Sequence, residues 1–377
     1  MPGAHERALD ALLKRGRLRT LEARRGLDFA SNDYLGLADS SALRDAVLAA
    51  IGRGVPIGSG GSRLLRGNHS EHEALEAEAA RFFRAETALF FGGGFVANTA
   101  IFSTLPARGD LIVYDALIHA SALEGMRLSK ATRVAARHND AQAFADAIAA
   151  WRTSGGTGQV WIAVESLYSM DGDRAPLDPL IEIADQNDAV LVIDEAHATG
   201  VSGDGGLGLG AHLEGRENVV SLHTCGKALG VMGALVLAPR AMRDFLVNRA
   251  RSFIYATAPS PLMAASVRAA LQIVECEPER RVQLQERIAF AGRTLLAATR
   301  HTPSGSQIQP IIVGSDTRAV ALADALKAQG FDIRAIRPPT VPEGTARLRL
   351  TITLNTSEAD LKALITALAE AEAEFAA

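Results

Sequence analysis

The segments VLVIDEAHATG (residues 190–200) and SLHTCGKALG (residues 221–230) determine the fold that we predict for this chain. Ala189–Ile193 is short, apolar and rich in β-branched side chains, which is typical of a strand buried on both faces of a parallel sheet. Asp194 follows at the carboxyl end of this strand, the edge at which open α/β sheets bind ligands. The sequence therefore predicts an α/β fold with a carboxylate at the ligand-binding edge.

A second apolar strand, Asn218–Leu222, brings further polar groups to the same edge. It leads to Thr224 and Lys227, and His197 follows the first strand within reach of a shared ligand. An aspartate suits a protonated ring nitrogen, a lysine suits imine formation with an aldehyde, and a hydroxyl suits a phosphate, which together indicate pyridoxal phosphate. A lone loop lysine is more often a solvated surface charge, so these residues alone leave both interpretations open.

Composition narrows the class of protein. The chain has 377 residues, 48% of them hydrophobic, and a net charge of −4. This length exceeds one compact core, so we expect one large and one small domain, and the charge argues against nucleic-acid binding through a basic surface. Two cysteines, Cys225 and Cys276, do not make a disulfide framework and fit a reducing compartment.

The N-terminal residues do not resemble a targeting segment. They lack the apolar core of a signal peptide, and the sequence has no apolar run long enough to span a bilayer, so we expect a soluble, cytoplasmic protein without membrane contact. His5–Leu21 has apolar positions at helical spacing and a cluster of basic residues, which predicts a short amphipathic helix in an N-terminal arm, residues 1–40.

Strand and helix patterns alternate through residues 41–265, the predicted large domain. Right-handed crossovers between such elements give a mainly parallel sheet flanked by helices. Within it, Ala234–Ala238 is expected to be an antiparallel or an edge strand. Gly203–Gly208 matches G-x-G-x-x-G, but it neither follows a strand nor opens a helix, so we reject it as a dinucleotide site. Walker and G-x-S-x-G motifs are also missing, which argues against nucleotide and serine hydrolases.

Glycines mark two turns in the large domain. Three glycines at residues 92–94 end a predicted strand and precede a helix, whose free backbone N–H groups can bind a phosphate. Gly94 and Phe95 are therefore phosphate candidates, and a tight turn explains the glycines equally well. Gly58–Gly67 is explained either by close backbone approach to a ligand or partner, or by a flexible surface loop.

Two histidines in one short segment raise the question of a metal site. His69 and His72 have no further ligands beside them, whereas zinc sites need three or four. Ser70 and Glu73 have the spacing of a capping box ahead of a helix. We therefore predict helix capping and no metal.

Three loop residues of the large domain are further candidate ligands. His119 follows a predicted strand, where its ring either stacks on a planar cofactor or stays partly exposed. Ser169 and Thr257 offer hydroxyl groups from later loops.

The pattern of elements changes over residues 266–377, where we predict a small α+β domain. Its strand ARLRLTIT carries Arg347 and Arg349 on one face, where one of them can bind a carboxylate through two hydrogen bonds or both can face solvent. Three prolines stiffen the preceding segment, which contains Thr340.

A series of motifs runs through the chain in the order SNDYLG, GSGGSR, GGGFVAN, HAS, SMDGD, DEAHATG, TCGKALG and IRPPTVPEGTARLRL. They resemble the motifs of the α-oxoamine synthases, which are fold-type I pyridoxal-phosphate enzymes. The resemblance runs from the arm to the last helix. It implies a fold-type I transferase with bound pyridoxal 5′-phosphate, and a homodimer.

The resemblance also assigns roles at the cofactor. It implies that Lys227 forms the Schiff base, that Asp194 pairs with the pyridinium nitrogen, and that His197 hydrogen-bonds the phenolic oxygen. A histidine near the ring, His119 or His197, is a candidate to polarise the acyl carbonyl. The resemblance further implies that Ser169 lies near the phenolic oxygen and that His119 stacks on the ring. The implied phosphate ligands are Gly94, Phe95 and Thr224 of the same subunit, together with Thr257 of the partner subunit.

Two substrates are implied as well. Residues 336–350 are similar to family members that join L-alanine to a pimeloyl thioester, with release of CO2 and the thiol carrier, in biotin biosynthesis. Arg349 is the implied ligand of the alanine carboxylate. Thr340 and an arm arginine, Arg17 in preference to Arg19, are the implied ligands of the acyl substrate.

Several alternatives accompany this hypothesis. A synthase of the same family that uses glycine or serine would have the same motifs. A catalytically silent partner subunit is the rival of a different class, and the retention of Lys227 argues against it. The thiol carrier is either coenzyme A or an acyl carrier protein.

Overall fold

The structure is a computed structural model that describes residues 2–375. These residues divide into two units. The large unit comprises Leu35–Tyr168 and Arg174–Arg281, and the small unit comprises residues 2–34, Ser169–Asp173 and residues 282–375.

The secondary structure alternates between helices and strands over most of the chain. The helices are α1 (Pro2–Lys14), α2 (Ser41–Gly52), α3 (Ser70–Phe82), α4 (Gly94–Thr104), α5 (Ala120–Leu128), α6 (Ala141–Thr153), α7 (Leu177–Gln186), α8 (Arg240–Arg249), α9 (Arg251–Ile254), α10 (Pro261–Cys276), α11 (Glu279–Ala298), α12 (Asp316–Ala328) and α13 (Glu358–Glu374). The strands are β1 (Leu27–Asp28), β2 (Thr87–Phe91), β3 (Leu111–Asp115), β4 (Thr132–Ala136), β5 (Val160–Glu165), β6 (Val190–Asp194), β7 (Val219–Thr224), β8 (Ala234–Ala238), β9 (Ile308–Gly314), β10 (Phe331–Asp332), β11 (Arg334–Ile336) and β12 (Ala346–Thr351).

A sheet with the strand order β2–β8–β7–β6–β5–β3–β4 forms the centre of the large unit. The five strands from β7 to β4 in this order are parallel, and β8 is antiparallel to both of its neighbours. The antiparallel direction expected for Ala234–Ala238 is confirmed, but an edge position is wrong because β2 pairs with its other side. The sequence pattern does not indicate β4, because most of its side chains are exposed.

Apolar side chains pack on both faces of this central sheet, which explains why most of its inner strands are predominantly apolar. Val192 and Leu222 belong to a core completed by α4 and α5, whereas Leu191 and Val219 belong to a core completed by α6 and α7. Since successive strand side chains point to opposite faces, Asp194 lies on the α4 side of the sheet. The predicted mainly parallel α/β architecture is confirmed.

Helix α10 determines where the large unit ends. The sequence pattern predicts a boundary between residues 265 and 266, inside this helix. The large unit instead extends to Arg281, because α10 packs against α2 and α3 of the same unit. Pro261 in its first turn and the Ser260 hydroxyl at its N-cap begin the helix as the sequence predicts.

The small unit contains an antiparallel sheet of β11, β12 and β9, and a short parallel pair of β1 and β10. Helix α12 packs against α13 and this sheet. The predicted single strand Phe331–Ile336 is divided into β10 and β11. The predicted α+β character of this region is confirmed.

The N-terminal helix is shorter than the predicted His5–Leu21, because α1 ends at Lys14. Gly16 has a positive φ of 64°, and the N–H groups of Gly16 and Arg17 donate back to the carbonyls of Leu13 and Leu12. This is the hydrogen-bond pattern of a Schellman C-cap. None of the described helices combines the length and the apolar character needed to cross a bilayer.

Candidate active site

The carboxylate at the end of β6 is held in a defined orientation. Asp194 is 7% exposed. One of its oxygens accepts a hydrogen bond from Asn98 Nδ2 at 2.7 Å, and the other accepts one from the Ala196 N–H at 2.9 Å. Each carboxylate oxygen thus has a fixed donor, so the orientation of the Asp194 side chain at the sheet edge is defined.

Lys227 lies on a tight loop that joins β7 to β8. The loop is closed by two backbone hydrogen bonds, from the Cys225 N–H to the Gly233 carbonyl and from the Val231 N–H to the Cys225 carbonyl. A Cβ at Gly230 would come within 2.5 Å of a neighbouring backbone nitrogen. The lysine amine therefore has a restricted position, and its Nζ lies 2.7 Å from Nε2 of the buried His197.

The N-terminus of α4 adjoins these residues. Gly93 is at the N-cap and has no side chain to cap the first N–H groups, and a Cβ added at Gly92 or Gly93 would meet no atom within 4 Å. An added Cβ at Gly94 would lie 3.6 Å from Thr224 Oγ1. Open backbone donors beside a hydroxyl group form a suitable anion-binding site, as predicted for Gly94.

His119 is the N-cap of α5, and its ring is oriented by Ser121, which in turn contacts Asn98. Its Nδ1 faces the Ser121 hydroxyl at 2.7 Å and the Ser121 N–H at 3.2 Å. Asn98 donates to the same hydroxyl at 2.9 Å and thereby connects Ser121 to Asp194. Loss of hydration among these neighbours, with repulsion from Lys227, lowers the pKa of His119, so the ring is neutral at pH 7.

Sequence reasoning missed Asn98 and Ser121. Both are almost completely buried, and Asn98 is a polar residue within the apolar helix GFVANTAIFST. A lone amide in such a helix needs a buried partner, and this was the available signal.

These groups fit pyridoxal phosphate. A buried carboxylate, an amine fixed beside an imidazole, and an uncapped helix N-terminus match its ring nitrogen, aldehyde and phosphate. Of the residues predicted for the cofactor, the large unit brings together Asp194, His197, His119, Lys227, Thr224, Gly94 and Phe95.

The other predicted cofactor residues lie elsewhere. Thr257 is exposed in the loop between α9 and α10, where the Ser59 hydroxyl and the Gly61 carbonyl hydrogen-bond the adjacent backbone. The loop of residues 58–67 is thus hydrogen-bonded to this segment through Ser59 and Gly61, while Leu64 and Leu65 are exposed. Ser169 belongs to the small unit, and its carbonyl accepts a hydrogen bond from Arg349.

Both arginines of β12 are buried in the small unit, so a solvent-facing position is excluded for them. Arg347 pairs with Asp171. Arg349 donates to the Ser169 carbonyl at 2.6 Å and to Thr351 Oγ1 at 3.0 Å, but it has no carboxylate partner within the described part of the chain. Arg349 is therefore the one suited to a substrate carboxylate.

The two candidate arm arginines have different surroundings. Arg17 is paired with Asp316 at 2.6 Å and with Glu343 at 2.9 Å. Arg19 points its Nη2 at Thr340 Oγ1, 3.4 Å away, and lines a cavity of about 400 Å³ in the small unit. The structure thus places Arg19, and not the preferred Arg17, beside Thr340.

His69 and His72 cap the N-terminus of α3, so the predicted helix capping is confirmed. The partners differ from those expected, because His69 is the N-cap and His72, not Glu73, completes the capping box. His72 Nε2 also contacts the Pro259 carbonyl at 2.7 Å. Among residues 2–375, no group of three or more potential metal ligands is present.

Comparison with known proteins places the chain in a family. Residues 24–368 match the family Aminotransferase class I and II. The chain is 41% identical over 345 residues to the 8-amino-7-oxononanoate synthase of Chromobacterium violaceum, which covers 92% of this chain and 89% of that relative. It is 40% identical over 354 residues to that of Geobacter sulfurreducens, with coverage of 92% and 89%.

Solved structures of related enzymes are similar to this chain in fold. The 8-amino-7-oxononanoate synthase of Francisella tularensis has a TM-score of 0.78 at 28% identity and covers 93% of this chain and 98% of that chain. The serine palmitoyltransferase of Sphingomonas wittichii has a TM-score of 0.87 at 25% identity, with coverage of 100% and 97%. The chain belongs to the class I and II aminotransferase family and, within it, to the 8-amino-7-oxononanoate synthases.

Proposed function

We propose that the chain condenses L-alanine with a pimeloyl thioester to give 8-amino-7-oxononanoate, CO2 and the free thiol carrier, a step of biotin biosynthesis. It is an acyltransferase, and pyridoxal 5′-phosphate is its cofactor. The observation that carries the proposal is the 2.7 Å contact between Lys227 Nζ and His197 Nε2, at the sheet edge that also holds Asp194. In the overall reaction, the Cα of alanine forms a bond to the acyl carbon while the C–S bond and the bond to the alanine carboxylate break.

The bound cofactor supplies an aldehyde for the amino group and an electron-accepting ring. Asp194 would keep a proton on the ring nitrogen, because Asn98 and a backbone N–H hold its carboxylate in one orientation. The phosphate would be held by the N–H groups of Gly94 and Phe95 and by the Thr224 hydroxyl. Thr257 of the partner subunit is the further proposed ligand of the phosphate, and Ser169 is proposed to lie near the phenolic oxygen.

Lys227 is the proposed acid–base group. Its amine takes the proton from the Cα of alanine and later returns a proton to the product. The contact with His197 supports this role, because it holds the amine in one position. His197 is also the proposed ligand of the cofactor's phenolic oxygen.

His119 is the proposed group that polarises the acyl carbonyl. Its Nδ1 accepts the Ser121 N–H, so the proton of the neutral ring is on Nε2. Nε2 can then donate a hydrogen bond to the thioester oxygen while the ring lies over the cofactor. The lowered pKa of His119 keeps this form dominant at neutral pH.

The substrate-binding residues belong to the small unit. Arg349 is the proposed ligand of the alanine carboxylate, since its guanidinium is buried without a carboxylate partner in the described chain. Arg19 and Thr340 are the proposed ligands of the acyl substrate, and we prefer Arg19 because Arg17 already binds two carboxylates. The homodimer and the cytoplasmic location remain predictions, as does the choice of coenzyme A or an acyl carrier protein.

The test is an assay of the holoenzyme with pimeloyl-coenzyme A that follows thiol release, with L-alanine, glycine and L-serine compared at equal concentrations. We expect turnover with L-alanine to exceed the other two by at least about tenfold, and CO2 to be released in equal amount. Faster turnover with glycine or serine would identify the chain as a different α-oxoamine synthase. A cofactor-loaded protein without turnover on any of the three would refute the proposed reaction.

A further inference from the structure

A buried polar network lies on the opposite face of β7 from Thr224. Its centre is His223, which is fully buried and packs against the Phe83 ring at a centroid distance of 4.0 Å. His223 Nε2 lies 3.1 Å from Ser221 Oγ and 3.3 Å from Glu214 Oε1, and its Nδ1 lies 2.9 Å from Thr199 Oγ1. The imidazole thus uses both nitrogens, and its partners come from three different chain segments.

Thr199 connects this network to the turn that carries His197. The N–H groups of Ala198 and Thr199 donate to the Glu195 carbonyl at 3.0 and 2.9 Å, and the Thr199 hydroxyl donates to the same oxygen at 2.8 Å. Because the hydroxyl has one proton, His223 Nδ1 must be the donor in the contact with Thr199. The orientation of the turn is therefore linked to the position of the imidazole.

The turn is held at its other end by the Glu195 carboxylate. This group is 1% exposed and accepts hydrogen bonds from Ser166 Oγ at 2.6 Å, from Leu209 N at 3.1 Å and from Gly210 N. A Cβ at Gly208 would come within 2.8 Å of the carboxylate carbon. Gly208, the last glycine of the G-x-G-x-x-G match, thus lets the backbone approach a buried carboxylate, and a Cβ added at Gly203 would meet the Gly208 carbonyl. These two close approaches explain both glycines without a dinucleotide.

We propose that His223 and Thr199 are positioning residues that keep His197 against Lys227 by fixing the turn of residues 195–199. The inference rests on the proposed function only in taking Lys227 as the reactive amine. Neither residue touches substrate or cofactor in this proposal. Their effect is transmitted through the backbone of the turn, so it concerns the cofactor and the chemical step more than substrate affinity.

A pair of Thr199 variants tests the link. Thr199→Val keeps the shape of the side chain and removes the hydroxyl, whereas Thr199→Ser keeps the hydroxyl. Thr153→Val is the matched control, because the Thr153 hydroxyl also donates to the carbonyl four residues earlier, at the exposed C-terminal end of α6. The measurements on the holoenzyme are kcat, the KM of each substrate, the cofactor dissociation constant and the visible absorbance of the bound cofactor.

We expect Thr199→Val to lower kcat by about five- to tenfold, the loss typical of one buried hydrogen bond, and to alter the cofactor absorbance with little change in either KM. Thr199→Ser and Thr153→Val should stay within about twofold of the parent chain. A Thr199→Val variant that matches Thr199→Ser in kcat and in absorbance would overturn the proposal.

His223 is tested by a double-mutant cycle. His223→Leu removes both hydrogen-bonding nitrogens, and His223→Asn keeps a donor near the Nδ1 position if the leucine variant does not fold. Thr199→Val is then added to His223→Leu, or to His223→Asn if that variant has a reduced kcat. If the two residues act through one link, the added substitution should lower kcat by less than about a further twofold. Independent, multiplicative losses would refute the link.

The cofactor readouts separate this inference from the proposed reaction. They need no acyl substrate, so an altered absorbance in Thr199→Val supports the positioning role even if pimeloyl thioesters are not turned over. If Thr199→Val leaves the absorbance and the cofactor affinity unaltered while the parent enzyme is active on alanine, the positioning role is contradicted and the proposed reaction is not.

Discussion

The cofactor edge of the large unit and the N-terminal arm of the small unit hold their polar groups in different ways. At the edge, Asp194 and Asn98 are buried and hydrogen-bonded to each other. In the arm, Glu22 pairs with Lys327 and Arg334, and the side chains of all three are more than a third exposed. The edge therefore depends on buried, short-range hydrogen bonds, and Glu22 of the arm depends on solvent-exposed ion pairs.

This difference has an energetic consequence. A buried donor or acceptor that loses its partner costs about 1–3 kcal/mol, because water cannot replace that partner. An exposed ion pair contributes about 0–1 kcal/mol and is screened by salt. We therefore expect substitutions at the edge to have large effects, and substitutions in the arm to have small effects that depend on ionic strength.

The largest effect is expected for the edge itself. Lys227→Ala should remove the visible absorbance of the bound cofactor and lower kcat by at least about 10³-fold, because it deletes both the amine that binds the aldehyde and the acid–base group. Lys227→Arg is the matched control that keeps the positive charge, and it should be equally inactive. An alanine variant with more than a tenth of the parent kcat would remove Lys227 from the mechanism.

The sequence predicts this edge well for a physical reason. Asp194 and Lys227 follow apolar runs that can only be buried strands, and parallel strands bring their carboxyl ends to one edge. The same logic does not find Asn98 or Ser121, because their roles depend on which side chains meet across the sheet and helix. Such pairings are tertiary contacts, and no local sequence pattern predicts them.

The arm and the unit boundary show where sequence patterns fail. Arg17 and Arg19 have the same chemistry, and only the position of Asp316 and Glu343 separates their roles. The large unit extends past residue 265 because α10 packs against α2 and α3, and these packing partners cannot be identified from the sequence of α10 alone. The capping box is formed by His69 and His72, one residue before the predicted pair Ser70 and Glu73, because a histidine ring takes the place of the usual hydroxyl at the N-cap.

An intermediate effect, on stability, is expected for Asp115, a buried carboxylate at the end of β3. It accepts hydrogen bonds from the N–H groups of Leu117 and Asn139 and contacts His138 Nδ1 at 2.8 Å. Burial alone would raise the pKa of Asp115, but these hydrogen bonds outweigh it and hold the pKa below its usual value. Asp115→Asn should lower the free energy of unfolding by about 2 kcal/mol at pH 7, measured by urea denaturation.

The pH dependence of this effect has a defined sign. Because the folded-state pKa of Asp115 is depressed, its contribution is fully present above the unfolded pKa of about 4 and is lost as the pH falls through the lower folded value. The difference between the parent chain and Asp115→Asn should therefore shrink below about pH 4. Asp185→Asn, at an exposed ion pair with Arg216, is the control and should have no measurable effect. A difference that stays constant down to pH 3 would contradict this account.

The smallest effect is expected in the arm, where Arg19 and Arg17 form a matched pair. Arg19→Ala should raise the KM of the acyl thioester by about five- to tenfold, since it removes a charged ligand, and should leave the KM of L-alanine within about twofold. Arg17→Ala should raise the same KM by no more than about twofold, because Arg17 is already engaged in ion pairs with Asp316 and Glu343 and does not contact the substrate in this proposal. Added salt should weaken the effect of Arg17→Ala by screening those pairs in the parent chain. If Arg17→Ala instead has the larger effect, Arg17 contacts the substrate directly and its ion pairs must open during the reaction.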